Sequence, residues 1–174
     1  RSEDEPLEIA TPDGFRLQAS LLKPPGFDPK RRYPVWYRTY AGPHAPTIQD
    51  RWEGGRGWDE AVAQLGALVF RCDVRSASGK GARSAWAAYR QLGVPELADI
   101  ECAVGWLRAQ PFVDPDRIGI EGHSYGGFMT AYAMTHSRLF AAGIAGAPVT
   151  DWREYDTIYT ERFMLTPAEN SEGY

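Results

Sequence analysis

Soft metal ligands and thiols are scarce in this sequence: 174 residues contain two cysteines, three histidines and three methionines. Cys72 and Cys102 stand alone, one in an apolar strand-like run and the other in a helix-like run, and read as small buried hydrophobic side chains rather than a disulfide framework or a metal site. No metal and no cofactor is implied. Long hydrophobic runs are lacking as well. The longest, Ala141 to Val149, is far short of the ~20 apolar residues a membrane-spanning helix needs. Positive charge is in deficit: Lys+Arg number 19 against Asp+Glu 23, a formal charge of -4. With Lys30-Arg31-Arg32 the only short basic cluster, a nucleic-acid partner is excluded. There is no internal repeat or low-complexity stretch, and the charged start Arg1-Ser2-Glu3-Asp4-Glu5-Pro6 has no apolar block of the secretory kind.

What is present describes a folded domain: 43% hydrophobic residues, 18 glycines and 13 prolines. A domain of this size buries roughly 70% of the surface of its unfolded chain, enough for a core without a covalent staple. Short apolar runs alternate with longer amphipathic ones, the pattern of an α/β fold. Leu7–Thr11 and Phe15–Lys23 read as strands joined by the turn Pro12-Asp13-Gly14. Tyr33–Tyr40 is a strand broken by Ala41-Gly42-Pro43, and Trp58–Leu65 a short helix leading into the strand Ala67–Val74. After a Ser/Gly loop at 75–81, Leu97, Ile100, Val104 and Leu107 mark an amphipathic helix over 95–109. Arg117–Glu121 is a strand, Tyr125–His136 a helix, Ala141–Ala147 a second buried strand, and Trp152–Met164 a tyrosine-rich helix. This succession predicts a mostly parallel sheet with helices on both faces.

The strongest local signal is Gly122-His123-Ser124-Tyr125-Gly126-Gly127. It fits G-x-S-x-G, the nucleophile elbow, and lies between a predicted strand and a predicted helix. The turn is tight enough that side chains two positions either side of Ser124 would collide, so glycine is required there. The Ser124 hydroxyl then projects at a helix N-terminus, where free N–H groups and the helix dipole favour a reacting oxyanion.

A serine needs a histidine to take its proton and an acid to orient that histidine. In the α/β-hydrolase order both follow the serine, on loops after later strands. His136 is the one histidine after Ser124, about 18 Å along the helix by its rise per residue, and out of reach. His44 comes before the serine, and His123 should point away from the Ser124 Oγ on so sharp a turn. The acids after Ser124 follow too few strands to serve. The expectation is a segment, residues 1–174, truncated after the strand that follows the elbow, with the triad acid and histidine elsewhere and the isolated chain inactive.

The residues resemble the catalytic domain of the prolyl oligopeptidase family of serine peptidases, and within it the dipeptidyl peptidase IV branch. The resemblance runs through Asp13-Gly14-Phe15, Phe27-Asp28-Pro29, Tyr33-Pro34-Val35 and Tyr40-Ala41-Gly42-Pro43. Its most specific blocks are Ser124-Tyr125-Gly126-Gly127 and Ala147-Pro148-Val149 with Trp152, Tyr155 and Tyr159-Thr160-Glu161-Arg162. It implies an α/β-hydrolase fold and gives Ser124 as nucleophile, with the Tyr125 N–H and the Tyr40 hydroxyl as oxyanion donors. A phenol donates there because it is neutral at pH 7. Tyr125, Val149, Trp152, Tyr155 and Tyr159 resemble the pocket that takes proline before the scissile bond, the last three spaced three and four apart as on one helix face.

The implied activity is proteolysis after proline or alanine near a peptide's amino end. The resemblance adds a periplasmic or extracellular address and a possible homodimer. Two features depart from the branch: His123 stands where tryptophan is common, and Asp73-Val74-Arg75-Ser76-Ala77-Ser78-Gly79 matches Asp-x-Arg-Gly-Ser-Gly loosely. The branch's β-propeller, with its glutamate pair for the substrate's amino terminus, lies outside this sequence. The rival readings are an acylaminoacyl peptidase or esterase of the same fold, where histidine often replaces Tyr40, and a catalytically silent interaction module.

Overall fold

The structure, a computed structural model, describes residues 3–49 and 57–174. The chain opens as an antiparallel hairpin of β1 (Glu3–Ala10) and β2 (Arg16–Lys23). Its turn closes through Thr11 N–H to Phe15 C=O and Gly14 N–H to Thr11 C=O. Gly14 sits at φ +84°, open to a residue without Cβ. Beyond the hairpin come β3 (Tyr33–Arg38), β4 (Leu68–Asp73), β5 (Val113–His123) and β6 (Ala142–Gly146). The spatial order is β1-β2-β4-β3-β5-β6. β2 runs antiparallel to β4, while the β4/β3, β3/β5 and β5/β6 pairs are parallel.

Alternation along β3 shows how the layers form. Tyr33, Val35 and Tyr37 are buried in the main core. Trp36 faces the other way, with Leu22, Val69 and Ala63. Ala63 belongs to α1 (Gly57–Gln64), which covers that second face. The main core is closed by α3 (Val94–Arg108) and α4 (Tyr125–His136), which touch each other and β5. The four residues that mark α3 in the sequence, Leu97, Ile100, Val104 and Leu107, are all buried there. The sheet is therefore mostly parallel with helices on both faces.

Three expectations need correction. Among the described residues β6 is the edge strand of the sheet, so Ala142, Gly143, Ile144 and Ala145 are exposed there rather than buried. An Ala/Gly-rich apolar run does not distinguish a central strand from an edge strand, since position in the sheet is a property of the whole chain. Residues 152–164 are not one helix. A 3-10 turn at Trp152–Glu154 is followed by α5 (Thr157–Met164). Asp156 starts the new helix, its carboxylate accepting the Tyr159 N–H at 2.8 Å, and such a cap competes with continuation of the preceding turn. Last, the segment after β4 is more ordered than a Ser/Gly loop. It contains a 3-10 turn at Arg75–Ala77, the single-turn α2 (Ala82–Ala85) and a 3-10 turn at Trp86–Ala88.

Candidate active site

Ser124 joins β5 directly to α4 and has φ +59° and ψ −118°. That conformation costs a residue with a Cβ on the order of 1–3 kcal/mol. The surroundings leave the chain no alternative. A Cβ on Gly122 would lie 2.4 Å from the Gly126 carbonyl oxygen and 2.5 Å from that of Thr39. One on Gly126 would lie 2.3 Å from the Thr39 oxygen, and one on Gly127 2.3 Å from the Gly146 oxygen. The elbow is thus pressed between the ends of β3 and β6 at backbone contact, and the Ser124 N–H donates to the Gly146 carbonyl at 2.9 Å. Ser124 itself is half-buried, at the start of α4. The neighbouring first-turn N–H groups, that of Tyr125 among them, have no partner within their own helix.

Tyr40 follows β3 on the other side of the elbow, and its ring is exposed. The ring lies over Gly42, where a Cβ would stand 2.6 Å from Tyr40 Cε1. Behind it, buried Asp73 at the end of β4 accepts the N–H groups of Thr47 and Ile48 at 2.9 and 2.8 Å and the Thr47 hydroxyl at 2.6 Å. Desolvation raises the Asp73 pKa despite these donors. The segment after Tyr40 is thereby tied to the sheet.

One small pocket of about 30 Å3 is lined by Tyr40, Ser124, Tyr125, Val149, Trp152, Tyr155 and Tyr159. The structure brings together every residue that the sequence nominated. The grouping does not come from a shared helix face, because Trp152 and Tyr155 precede the cap of α5. It comes from aromatic packing. Trp152 stacks on Tyr159 with centroids 6.1 Å apart and meets Tyr155 edge-on at 5.8 Å. The Tyr125 ring lies 5.6 Å from Trp152 and 6.3 Å from Tyr40. Such a wall is apolar, rigid and low in rotamer freedom.

No histidine lies opposite the serine among the described residues. The His44 ring tilts against Phe163, and His136 stacks on Tyr132 at the far end of α4. His123 is exposed and lines, with Tyr40, Arg38, Arg71 and Glu121, a neighbouring cleft of about 270 Å3. There Arg38 bridges Glu121 at 2.8 Å and Asp59 at 2.5 Å.

Sequence reasoning missed two contributors. Gly42 reads as a strand breaker within the block Tyr40-Ala41-Gly42-Pro43, without a role of its own, yet it makes room for the Tyr40 ring. Glu96 reads as an ordinary acidic residue of the first turn of α3, but it is fully buried and accepts the Tyr125 hydroxyl at 2.9 Å. The spacing Gly93-x-x-Glu96, with the carboxylate accepting the Gly93 N–H at 3.0 Å, marks it as a cap. Nothing local marks it as a neighbour of the elbow.

Comparison with known proteins agrees with this geometry. The chain is 41% identical to the "Probable dipeptidyl-aminopeptidase B" of Ajellomyces dermatitidis, over 99% of this chain and 19% of that protein. It is 40% identical to the dipeptidyl-aminopeptidase B of Aspergillus niger, over 97% of this chain and again 19% of the relative. The crystal structure of Porphyromonas gingivalis dipeptidyl peptidase 4 superimposes with a TM-score of 0.94 at 41% identity, over 99% of this chain and 24% of that one. The chain thus spans about a fifth of the length of these curated relatives. The prolyl oligopeptidase family matches residues 56–174, and because that stretch is more than half of the chain and contains the whole elbow, the chain belongs to that family.

Proposed function

We propose that this chain is the nucleophile-bearing part of the catalytic domain of a serine peptidase that cleaves after proline or alanine near the amino end of a peptide. The observation that carries the reading is the Ser124 elbow opening onto the pocket of Tyr40, Tyr125, Val149, Trp152, Tyr155 and Tyr159. A proline ring is compact and apolar and carries no N–H, so aromatic walls select it by shape and desolvation. Two relatives named as dipeptidyl-aminopeptidases support cleavage near the amino end.

In this reading the Ser124 Oγ attacks the carbonyl carbon of the pocketed residue, and its proton passes to a histidine supplied by further polypeptide. Negative charge develops on the carbonyl oxygen, toward which the Tyr125 N–H and the Tyr40 hydroxyl donate. Collapse of the tetrahedral intermediate expels the amine with a proton from the same histidine. Water then hydrolyses the acyl-serine. The acid and histidine of the triad, and the element that counts residues from the amino terminus, belong to that further polypeptide.

The test is Ser124→Ala in the full-length protein, assayed on Gly-Pro- and Gly-Ala-p-nitroanilide. The expected result is a loss of about 10⁴-fold or more in kcat with the fold intact. Retention of a tenth of the activity refutes the assignment. The isolated chain should resist a serine-directed phosphonate, and rapid stoichiometric labelling of Ser124 would show that it carries its own base.

A further inference from the structure

Glu96 is a carboxyl group that the proposed chemistry does not use, buried where an apolar side chain would cost less. Three donors converge on it from three elements. The Gly93 N–H at the head of α3 reaches it at 3.0 Å, the Tyr125 hydroxyl of α4 at 2.9 Å, and the Ser76 hydroxyl of the turn after β4 at 3.4 Å. Burial pushes its pKa up to about 7, against those hydrogen bonds.

The head of α3 also packs closely on α4. Gly93 has φ +97°, and a Cβ there would stand 3.0 Å from Phe128 Cζ and 3.2 Å from Tyr132 Cε2. Glu96, three residues on, therefore starts from a helix end packed closely on α4. The side chain it holds, Tyr125, is buried and contributes a wall of the pocket, while the same residue's N–H lies beside Ser124.

We propose that Glu96 is a positioning residue: by accepting the Tyr125 hydroxyl it fixes, from behind, the ring that walls the aromatic pocket and the backbone N–H that follows the nucleophile. This rests on the reading of Ser124 as nucleophile. Tyr125 is the first residue of α4, where the backbone is held by few intrahelical bonds. A second anchor at the tip of its ring limits rotation of the residue as a whole. Orientation of an oxyanion donor is worth most when it is set before reaction.

The test uses the full-length protein with Glu96→Leu, Glu96→Gln, Tyr125→Phe and the double variant Glu96→Leu/Tyr125→Phe, read as kcat and KM on Gly-Pro-p-nitroanilide. Tyr125→Phe removes one oxygen and keeps the ring. It should lower kcat/KM by about 10-fold, chiefly in kcat, as loss of preorganisation does. Glu96→Leu should fall at least as far, and the double variant no further than Glu96→Leu, because both changes remove one interaction. Glu96→Gln retains an oxygen for the Gly93 N–H and an amide for the tyrosine oxygen, and should restore kcat/KM to within about threefold of the parent. A general structural role lowers thermal stability but predicts neither the coupling nor the rescue.

The proposal is overturned if Tyr125→Phe keeps kcat/KM within twofold of the parent, or if the two losses multiply in the double variant. Should Glu96→Leu fail to fold, Tyr125→Phe and Glu96→Gln decide alone. Ser124→Ala in the same series separates the two readings. If it remains active, the nucleophile assignment fails. If it is dead while Tyr125→Phe is unaffected, only the role of Glu96 fails.

Discussion

Replacing Gly126 with alanine tests whether the elbow is held by backbone contact. The added Cβ would lie 2.3 Å from the Thr39 carbonyl oxygen, 3.1 Å from Tyr40 Cα and 3.2 Å from the Thr39 carbonyl carbon. All three atoms are backbone, so no side chain can rotate out of the way. Ordinary contact begins near 3.4 Å, so the head of α4 and the end of β3 must separate by about 1 Å, at an overpacking cost of ~1–3 kcal/mol. The separation opens between the Tyr125 N–H on one side and Tyr40 on the other, the two groups assigned to the oxyanion. A misplacement of about 1 Å at a reacting centre costs on the order of 10²-fold in rate. In the full-length protein, Gly126→Ala should therefore lower kcat on Gly-Pro-p-nitroanilide by about 10² while melting cooperatively at a reduced Tm. A folded variant with kcat within twofold of the parent would refute the steric account of the elbow. Gly105 supplies the control, since a Cβ there meets nothing within 4 Å. Lying inside α3, Gly105→Ala should leave kcat unchanged and gain roughly 0.5–1 kcal/mol of stability by urea unfolding.

Tyr40→Phe should reduce kcat by about 10²- to 10³-fold with KM nearly unchanged, as expected when one oxyanion donor is removed; a change confined to KM contradicts that role. Gly42→Ala should have a similar but smaller effect, because the ring that covers Gly42 must swing aside while keeping its hydroxyl; steady-state kinetics beside Tyr40→Phe ranks the two. Burial raises the Glu96 pKa from 4.5 to about 7, so the folded state keeps a proton that the unfolded chain releases. Its contribution is therefore fully present below pH ~4.5 and is lost as the pH rises through about 7, by on the order of 3 kcal/mol. Glu96→Gln should flatten that fall, measured by denaturant unfolding at pH 5 and pH 8; an unchanged pH slope shows that Glu96 does not titrate there.

Features with a local cause were legible in the sequence. The glycines at 122 and 126 are demanded by a turn only a few residues long, so the elbow and its serine could be placed from that spacing together with the strand before it and the helix after it. The α3 stripe was readable for the same reason, since its four apolar residues repeat with the helix that displays them. What the tertiary structure decided concerns partners distant in the chain. Asp156 breaks the stretch from Trp152 to Met164. Stacking across that break, rather than helical periodicity, gathers Trp152, Tyr155 and Tyr159 around Ser124. The exposure of β6 follows from its place at the edge of the sheet formed by the described residues. Glu96 meets Tyr125 across 29 residues of sequence, because two helices dock at Gly93. Short-range sterics and periodicity are written into a few neighbouring residues, whereas burial and hydrogen-bond partnership follow from how the whole chain closes on itself.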